Sequence, residues 1–182
     1  EEFHRKSKII AKERLKIVKR FFFNKKVLEI GSSTGAFLSL LDTCNTHACE
    51  LTINNLEYSK QFISGSANNS LDNVKENNFD VICMFHVFEH IRKPVEFLNT
   101  CKSLLNKEGC ILIEVPCSDD PLITLYNCEE FKDFVFQPMH PMIYNEKSLD
   151  YVFNKSVLKK EAIAAIGGGV GKSNTRGLAF SQ

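Results

Sequence analysis

Residues 26–38 read Lys26-Val27-Leu28-Glu29-Ile30-Gly31-Ser32-Ser33-Thr34-Gly35-Ala36-Phe37-Leu38, and this stretch decides the fold. A strand-length run, KVLEI, passes directly into five small residues and then into an apolar segment. Small residues after a strand let the backbone turn tightly and approach a ligand, and a following helix offers unpaired N–H groups and a positive dipole end. Nineteen residues past Gly31 stands Glu50, at the end of the next strand-like run, THACE. In an open α/β sheet, a carboxylate so placed can accept both hydroxyls of an adenosine ribose. Without a ligand the same turn is a structural strand–helix corner, and that alternative stands beside the first.

Outward from this corner, apolar runs alternate with segments of helical period. The pattern predicts helix 3–21, strand 26–30, helix 35–43, strand 46–50, helix 54–62, strand 79–84, helix 94–106 and strand 109–115. Pro94 suits the first turn of its helix and Gly109 the stop after it. Continuous apolar strands separated by helices predict a doubly wound, Rossmann-like α/β fold with a mostly parallel sheet covered by helices on both faces. Residues 1–24 are expected to form a capping helix whose Lys/Arg alternate with Ile9, Ile10, Leu15, Ile17, Val18 and Phe21. Residues 25–160 make the main domain. Within it, 116–145 holds four of the five prolines and little periodicity, as a lid or substrate segment does.

Residues 161–182 read as a glycine-rich strand–loop–helix, either the start of a truncated second domain or a terminal strand and loop. Gly167 to Ser173 approach a phosphate-binding loop, but Ile166 stands where its first glycine belongs.

Bulk properties narrow the function. With 23 Lys+Arg against 22 Asp+Glu, the formal charge is +1, which offers no footprint for nucleic acid or an anionic membrane. No apolar stretch approaches the ~20 residues that span a bilayer, and no signal peptide is recognisable. Seven cysteines without a CxxC pair suit reduced thiols in the cytoplasm.

The glycine order leaves two cofactors to weigh. A dinucleotide site wants G-x-G-x-x-G, and G-S-S-T-G lacks its second and third glycines. Glu29-x-Gly31-x-x-x-Gly35 instead resembles the first motif of class I S-adenosylmethionine-dependent methyltransferases, departing from it at Ser33, where a middle glycine is usual. The resemblance extends over roughly residues 25–150. Glu50 looks like that family's ribose-binding acid, FDVICMFHVFEHI (79–91) like its fourth strand and following loop, and LLNKEGCILIEVP (104–116) like its fifth strand. The ubiquinone-biosynthesis and sugar-methylating members share a similar V-[FL]-E-H stretch.

The resemblance implies S-adenosylmethionine as cofactor. It implies that Gly31, Ser32, Ser33, Thr34, Gly35 and Phe37 line the methionine portion, with Glu29 near its amino group. Glu50 would take the ribose and Leu51 the adenine face, Asn69 or Ser70 the adenine edge, while Phe85 and His86 close the pocket. The acceptor is expected to be a small molecule: a sugar, glycan precursor or quinone. A homodimer stays open. A cofactor-binding regulatory module and an NAD(P)-dependent reductase remain the other readings; Tyr151 and Lys155 supply the Y-x-x-x-K of short-chain reductases without the matching glycines.

For acceptor activation the candidates are His140, between two prolines, then His90, His86 and Tyr144. A histidine hydrogen-bonded to loop backbone is the structural alternative for His140, and plain packing for His90. His86-Val87-Phe88-Glu89-His90 also spells the H-x-x-E-H of some zinc peptidases. That motif needs a longer helix than the four residues before Pro94 allow, so no metal is expected.

Overall fold

Val27, Leu28 and Ile30 are buried together with Glu29, so the strand they form is covered on both faces. In the computed structural model, which describes residues 2–156, 158–168 and 173–181, this strand is β1 (Lys26–Ile30). It pairs in parallel with β2 (Asn45–Cys49) on one side and β4 (Phe79–Phe85) on the other, with Val27 opposite Thr46 and Val81. β3 (Ala67–Asn68) runs parallel to β2, Ala48 facing Ala67. With β5 (Leu105–Val115), β6 (Lys159–Gly168) and β7 (Ser173–Ser181), the strand order is β3-β2-β1-β4-β5-β7-β6. The chain moves outward from β1 to β3 and returns to the other side of β1. The switch point therefore lies between the carboxyl ends of β1 and β4, where doubly wound sheets bind ligands. This is the Rossmann-like class expected from the sequence.

Two compact units divide the chain: Glu1–Met84 with Leu104–Cys110, and Phe85–Ser103 with Ile111–Gln182. In the first, α1 (Glu2–Val18) buries His4, Ala11 and Val18, one residue every seven. Ile9, Ile10 and Ile17, expected to form its covered face, are exposed. The Asp80 carboxylate accepts the Lys26 backbone N–H at 2.8 Å and the Asn106 side-chain amide at 2.7 Å, so one side chain sets the start of β1.

The helix expected over 35–43 does not form. After one bond from Ser39 N–H to Gly35 O, the segment tightens into a 3-10 turn at Leu38–Leu40, and β2 restarts where Asn45 N–H meets Lys25 O. Between Gly35 and β2 the chain must turn back at Leu41–Cys44, which leaves the segment a single tight turn. The dipole of a regular helix is therefore lost behind the glycine turn, and its backbone amides act individually. α2 (Ile53–Ser59) matches expectation, ending in a 3-10 turn at Lys60–Phe62.

In the second unit, α3 (Pro94–Leu104) opens on its proline and buries Leu98 and Cys101. It ends two residues sooner than predicted, because Leu105 already belongs to β5. The 116–145 segment holds two short helices, α4 (Pro121–Thr124), capped by Asp120, and α5 (Glu129–Val135). α6 (Glu146–Lys155) starts with a reciprocal cap between Asn145 and Ser148 and buries Leu149 and Phe153; Tyr151 of the reductase-like motif is exposed.

β6 and β7 are antiparallel, with Gly168 opposite Ser173. Where a helix was expected after the glycine-rich loop there is a strand, β7, and the pair joins the same sheet through it. Gly169 to Lys172, the centre of the phosphate-loop reading, lie outside the described residues.

Phe88 is fully buried, its ring stacked 5.2 Å from Tyr144 and 6.4 Å from Phe153. Phe88→Ala should therefore lower stability by ~3–5 kcal/mol in urea unfolding, the cost of a large aromatic cavity. A loss under ~1 kcal/mol would mean that this stack is not the core of its unit.

Candidate functional site

The corner after β1 is built from three left-handed residues, Gly31 (φ +71°), Ser33 (φ +47°) and Gly35 (φ +72°). Gly31 N–H donates to Cys49 O at 2.7 Å and Gly35 N–H to Ser32 O at 2.8 Å, which folds the turn back over the end of β2. A Cβ on Gly35 would stand 3.0 Å from Ser59 Cβ, so the position excludes larger residues by space as well as by φ. Ser33 occupies a conformation that costs a non-glycine residue on the order of 1 kcal/mol or more. Its N–H is turned thereby onto Glu50 Oε2 at 2.8 Å, while Glu50 Oε1 accepts from Thr52 N–H at 2.8 Å. The acid singled out by its spacing thus clamps the turn.

Two groups in this corner lack partners. Glu29 Oε2 and Ser32 Oγ are buried with no hydrogen bond among the described residues. Burial pushes the Glu29 carboxyl up to about 8; Arg14 opposes the shift and the negative charge of Glu50 adds to it. Thr34 Oγ1 is held by His4 Nδ1 at 3.0 Å, and the His4 ring stacks on Phe62 at 4.6 Å. The sequence reading missed His4, whose neighbours look like an ordinary solvated helix face.

Phe37 does not line the turn: it is buried edge-on against Phe22, a core contact. Leu51 is 79% exposed, an apolar side chain open to a planar ring. The 68–73 loop reaches Glu50 through Glu50 N–H to Asn68 O. Asn69 Oδ1 accepts from the Asn73 side-chain amide, and Ser70 O from Asn73 N–H. Asp72 also lies near: its charge, after burial and Glu50, helps raise the Cys49 thiol to about 11. With only two residues, β3 has no periodic signal that could have revealed this loop.

The second unit holds a different cluster. Phe85 is half-buried at the end of β4, and His86 follows at φ +57°. His86 N–H donates to Glu114 O, its Nε2 lies 3.0 Å from Glu114 Oε1 and its Nδ1 3.5 Å from Glu89 Oε1. Burial alone would lower its pKa, but the two carboxylates overcome that and lift it to about 9. At neutral pH His86 is an imidazolium, which corrects its expected role as a base.

His140, the first choice for a base, is buried, with Nδ1 on Val135 O at 2.9 Å and Nε2 against the Gln137 amide at 3.1 Å. The loop-backbone alternative is the one realised. Tyr144 is buried against Phe88, with burial and Glu89 raising its hydroxyl pKa and the hydroxyl without a partner among the described residues, so it is withdrawn from the surface where an exposed acceptor would sit. His90 is exposed, its Nδ1 bonded to Met139 O at 2.7 Å.

The Glu29 carboxyl sets a pH dependence. Its folded pKa, about 8, exceeds the ordinary 4.5, so between these values the folded chain keeps a proton that the unfolded chain has lost. Stability should therefore fall as pH rises through this window, by up to ~1.4 kcal/mol per pH unit. Glu29→Gln should flatten that segment of a stability–pH curve measured by urea unfolding; an unchanged slope would show that Glu29 is ionised in the fold.

Comparison with known proteins agrees with this architecture. An uncharacterized protein of Methanocaldococcus jannaschii is 28% identical over 149 residues, covering 80% of this chain, which spans 65% of that relative's length. A crystal structure from Archaeoglobus fulgidus, described as a SAM-dependent methyltransferase, superposes with a TM-score of 0.76 at 16% identity, covering 96% of this chain and 94% of its own. A possible histamine N-methyltransferase from Thermotoga maritima gives 0.72 at 16%, covering 97% and 90%. The plantazolicin methyltransferase, solved with SAH, gives 0.69 at 12%, covering 97% and 84%. Residues 3–159 match the family model described as a methyltransferase domain, and to that family this chain belongs.

Proposed function

We propose that this chain binds S-adenosylmethionine at the Gly31–Gly35 turn and transfers its methyl group to a small-molecule acceptor, a sugar, glycan precursor or quinone. The observation carrying the cofactor reading is the pair of unpartnered buried groups, Glu29 Oε2 and Ser32 Oγ, beside a turn of left-handed residues. Buried polar atoms without partners are uncommon and call for an explanation, and two of them on one glycine turn fit a bound ligand. The cofactor supplies an electrophilic methyl group on sulfur. The chain's task is then to hold donor and acceptor in line and to exclude water.

Glu29 receives the amino group and Ser32 the carboxylate end, together with the turn amides. Glu50 keeps one further lone pair on each oxygen after its bonds to Ser33 and Thr52, enough for the two ribose hydroxyls. Leu51 supports the adenine face, and Asn69, Ser70 or Asp72 its edge. Of the residues first considered for acceptor activation, His90 keeps an exposed ring, while His86, held as a cation, can donate a hydrogen bond and does not serve as a base. The acceptor class rests on the V-F-E-H stretch, Val87 to His90, and on the polar-aromatic 116–145 segment.

An ammonium group beside Glu29 favours its ionised form, so a carboxyl that holds its proton to about pH 8 must release it on binding. Calorimetry of S-adenosylhomocysteine at pH 7 should show release of up to about one proton when buffers of different ionisation heat are compared, and none in Glu29→Gln. Glu50→Ala should weaken binding at least ~10-fold with the fold intact by circular dichroism. Heat with NADH and none with S-adenosylhomocysteine would overturn the cofactor assignment. Label transfer from S-adenosylmethionine across glycan precursors and quinols tests the acceptor class; with the cofactor bound and no acceptor labelled, that class fails.

A further inference from the structure

Glu89 is among the most deeply buried carboxylates of the described residues outside the glycine corner. It is 2% exposed, and neither carboxylate oxygen has a hydrogen bond among the described residues. His86 Nδ1, at 3.5 Å, attracts the charge but is too far to satisfy either oxygen. A buried carboxyl group left in this state is costly unless a cation or donors reach it.

Two histidines converge on it. His90 is the next residue in the same 3-10 turn, Phe88–His90. His140 arrives from the 137–144 segment, which is strapped to that turn by Met142 N–H to Glu89 O and by His90 Nδ1 to Met139 O. The two rings lie 4.8 Å apart at 65°. Glu89, His90 and His140 each offer a ligand atom, and all three atoms lie within 4.8 Å of one another.

Hydrogen bonding fixes the tautomers. Met139 O and Val135 O are carbonyls and can only accept, so Nδ1 of His90 and Nδ1 of His140 both carry the proton. In each ring the lone pair is left on Nε2. Imidazole ligands of metals are prepared in this way, one nitrogen donating to a carbonyl so that the other can bind the ion. At His140 the Gln137 amide now caps that lone pair, and it also bonds Phe134 O, to which it can retreat.

We propose that Glu89, His90 and His140 form a binding site for one divalent first-row transition ion of the zinc or cobalt type. Two imidazoles and one carboxylate suit such ions better than magnesium or calcium, which prefer oxygen alone. Three protein ligands leave coordination positions for water or an oxygen-bearing molecule, the pattern of catalytic and not of structural sites. His86 then serves as an orienting contact for the Glu89 carboxylate. This departs from the expectation of no metal, and the site is not the H-x-x-E-H of zinc peptidases either. His86 and His90 do not form the ligand pair, and Glu89, there a base acting on water, is here a ligand.

The test uses the full chain stripped with chelator and titrated with Co²⁺ alone. The site predicts about one equivalent bound, with visible d–d absorption and no thiolate charge-transfer band, displaced by Zn²⁺. Glu89→Gln and the double variant His90→Ala/His140→Ala should lower Co²⁺ affinity at least ~10-fold while S-adenosylhomocysteine affinity stays as in the parent chain. Since His90 is exposed, His90→Ala alone gives a folded variant in which the same loss is read if the others fail to fold. No stoichiometric binding, binding unchanged in these variants, or a thiolate band from the cysteines would overturn the proposal. The metal readout does not depend on methyl transfer, so its failure and that of the cofactor assignment are seen separately.

Discussion

The Glu50 carboxylate on the Ser33 amide is the contact on which the glycine corner depends. Ser33 sits at φ +47°, a conformation its side chain makes costly, and no regular helix follows to hold the turn by successive hydrogen bonds. The charge-assisted bond from Glu50, at 2.8 Å, supplies what the missing helix would have supplied. The second oxygen on Thr52 fixes the carboxylate in turn. A side chain at the end of β2 thus determines the shape of the loop after β1, and the two strands must be parallel neighbours for this to work. The sheet order and the local turn are consequences of one geometric requirement.

That requirement explains why the corner was legible before any coordinates. Strand, small residues and a carboxylate nineteen positions on are all local signals, and each survives into the structure in its expected place. The 35–43 helix was misread because its apolar period was real while its length was limited by where β2 must begin, a tertiary constraint that periodicity does not carry. β3 escaped notice because two residues have no period. The C-terminal hairpin was read as strand, loop and helix because glycines beside a Lys-Ser pair imitate a phosphate loop. Only the pairing of Gly168 with Ser173 tells the two apart.

The histidines were the least legible part. His140 was singled out for its place in the irregular 116–145 segment, yet its role is decided by Val135 and Gln137, which no spacing rule connects to it. His86 looked like a pocket residue with a free base, and Glu114, far along the chain on β5, makes it a cation. The residue type was visible in the sequence. The proton on each ring nitrogen was not, because it depends on which carbonyl or carboxylate the fold brings to it.

Glu29 and Glu89 show the same problem resolved in two ways. Each is a carboxylate almost wholly removed from water with an oxygen that finds no donor. For Glu29 the cheaper state is the protonated one, because desolvation outweighs the attraction of Arg14. Glu89 has no hydrogen-bond donor among the described residues, and beside it His90 and His140 present Nε2 lone pairs that an entering cation can use. A neutral acid that ionises when an ammonium approaches suits a site that is filled and emptied on every cycle. A carboxylate flanked by two prepared imidazoles suits a cation that stays. The difference between a ligand that exchanges and one that resides is therefore already drawn in what surrounds two buried glutamates.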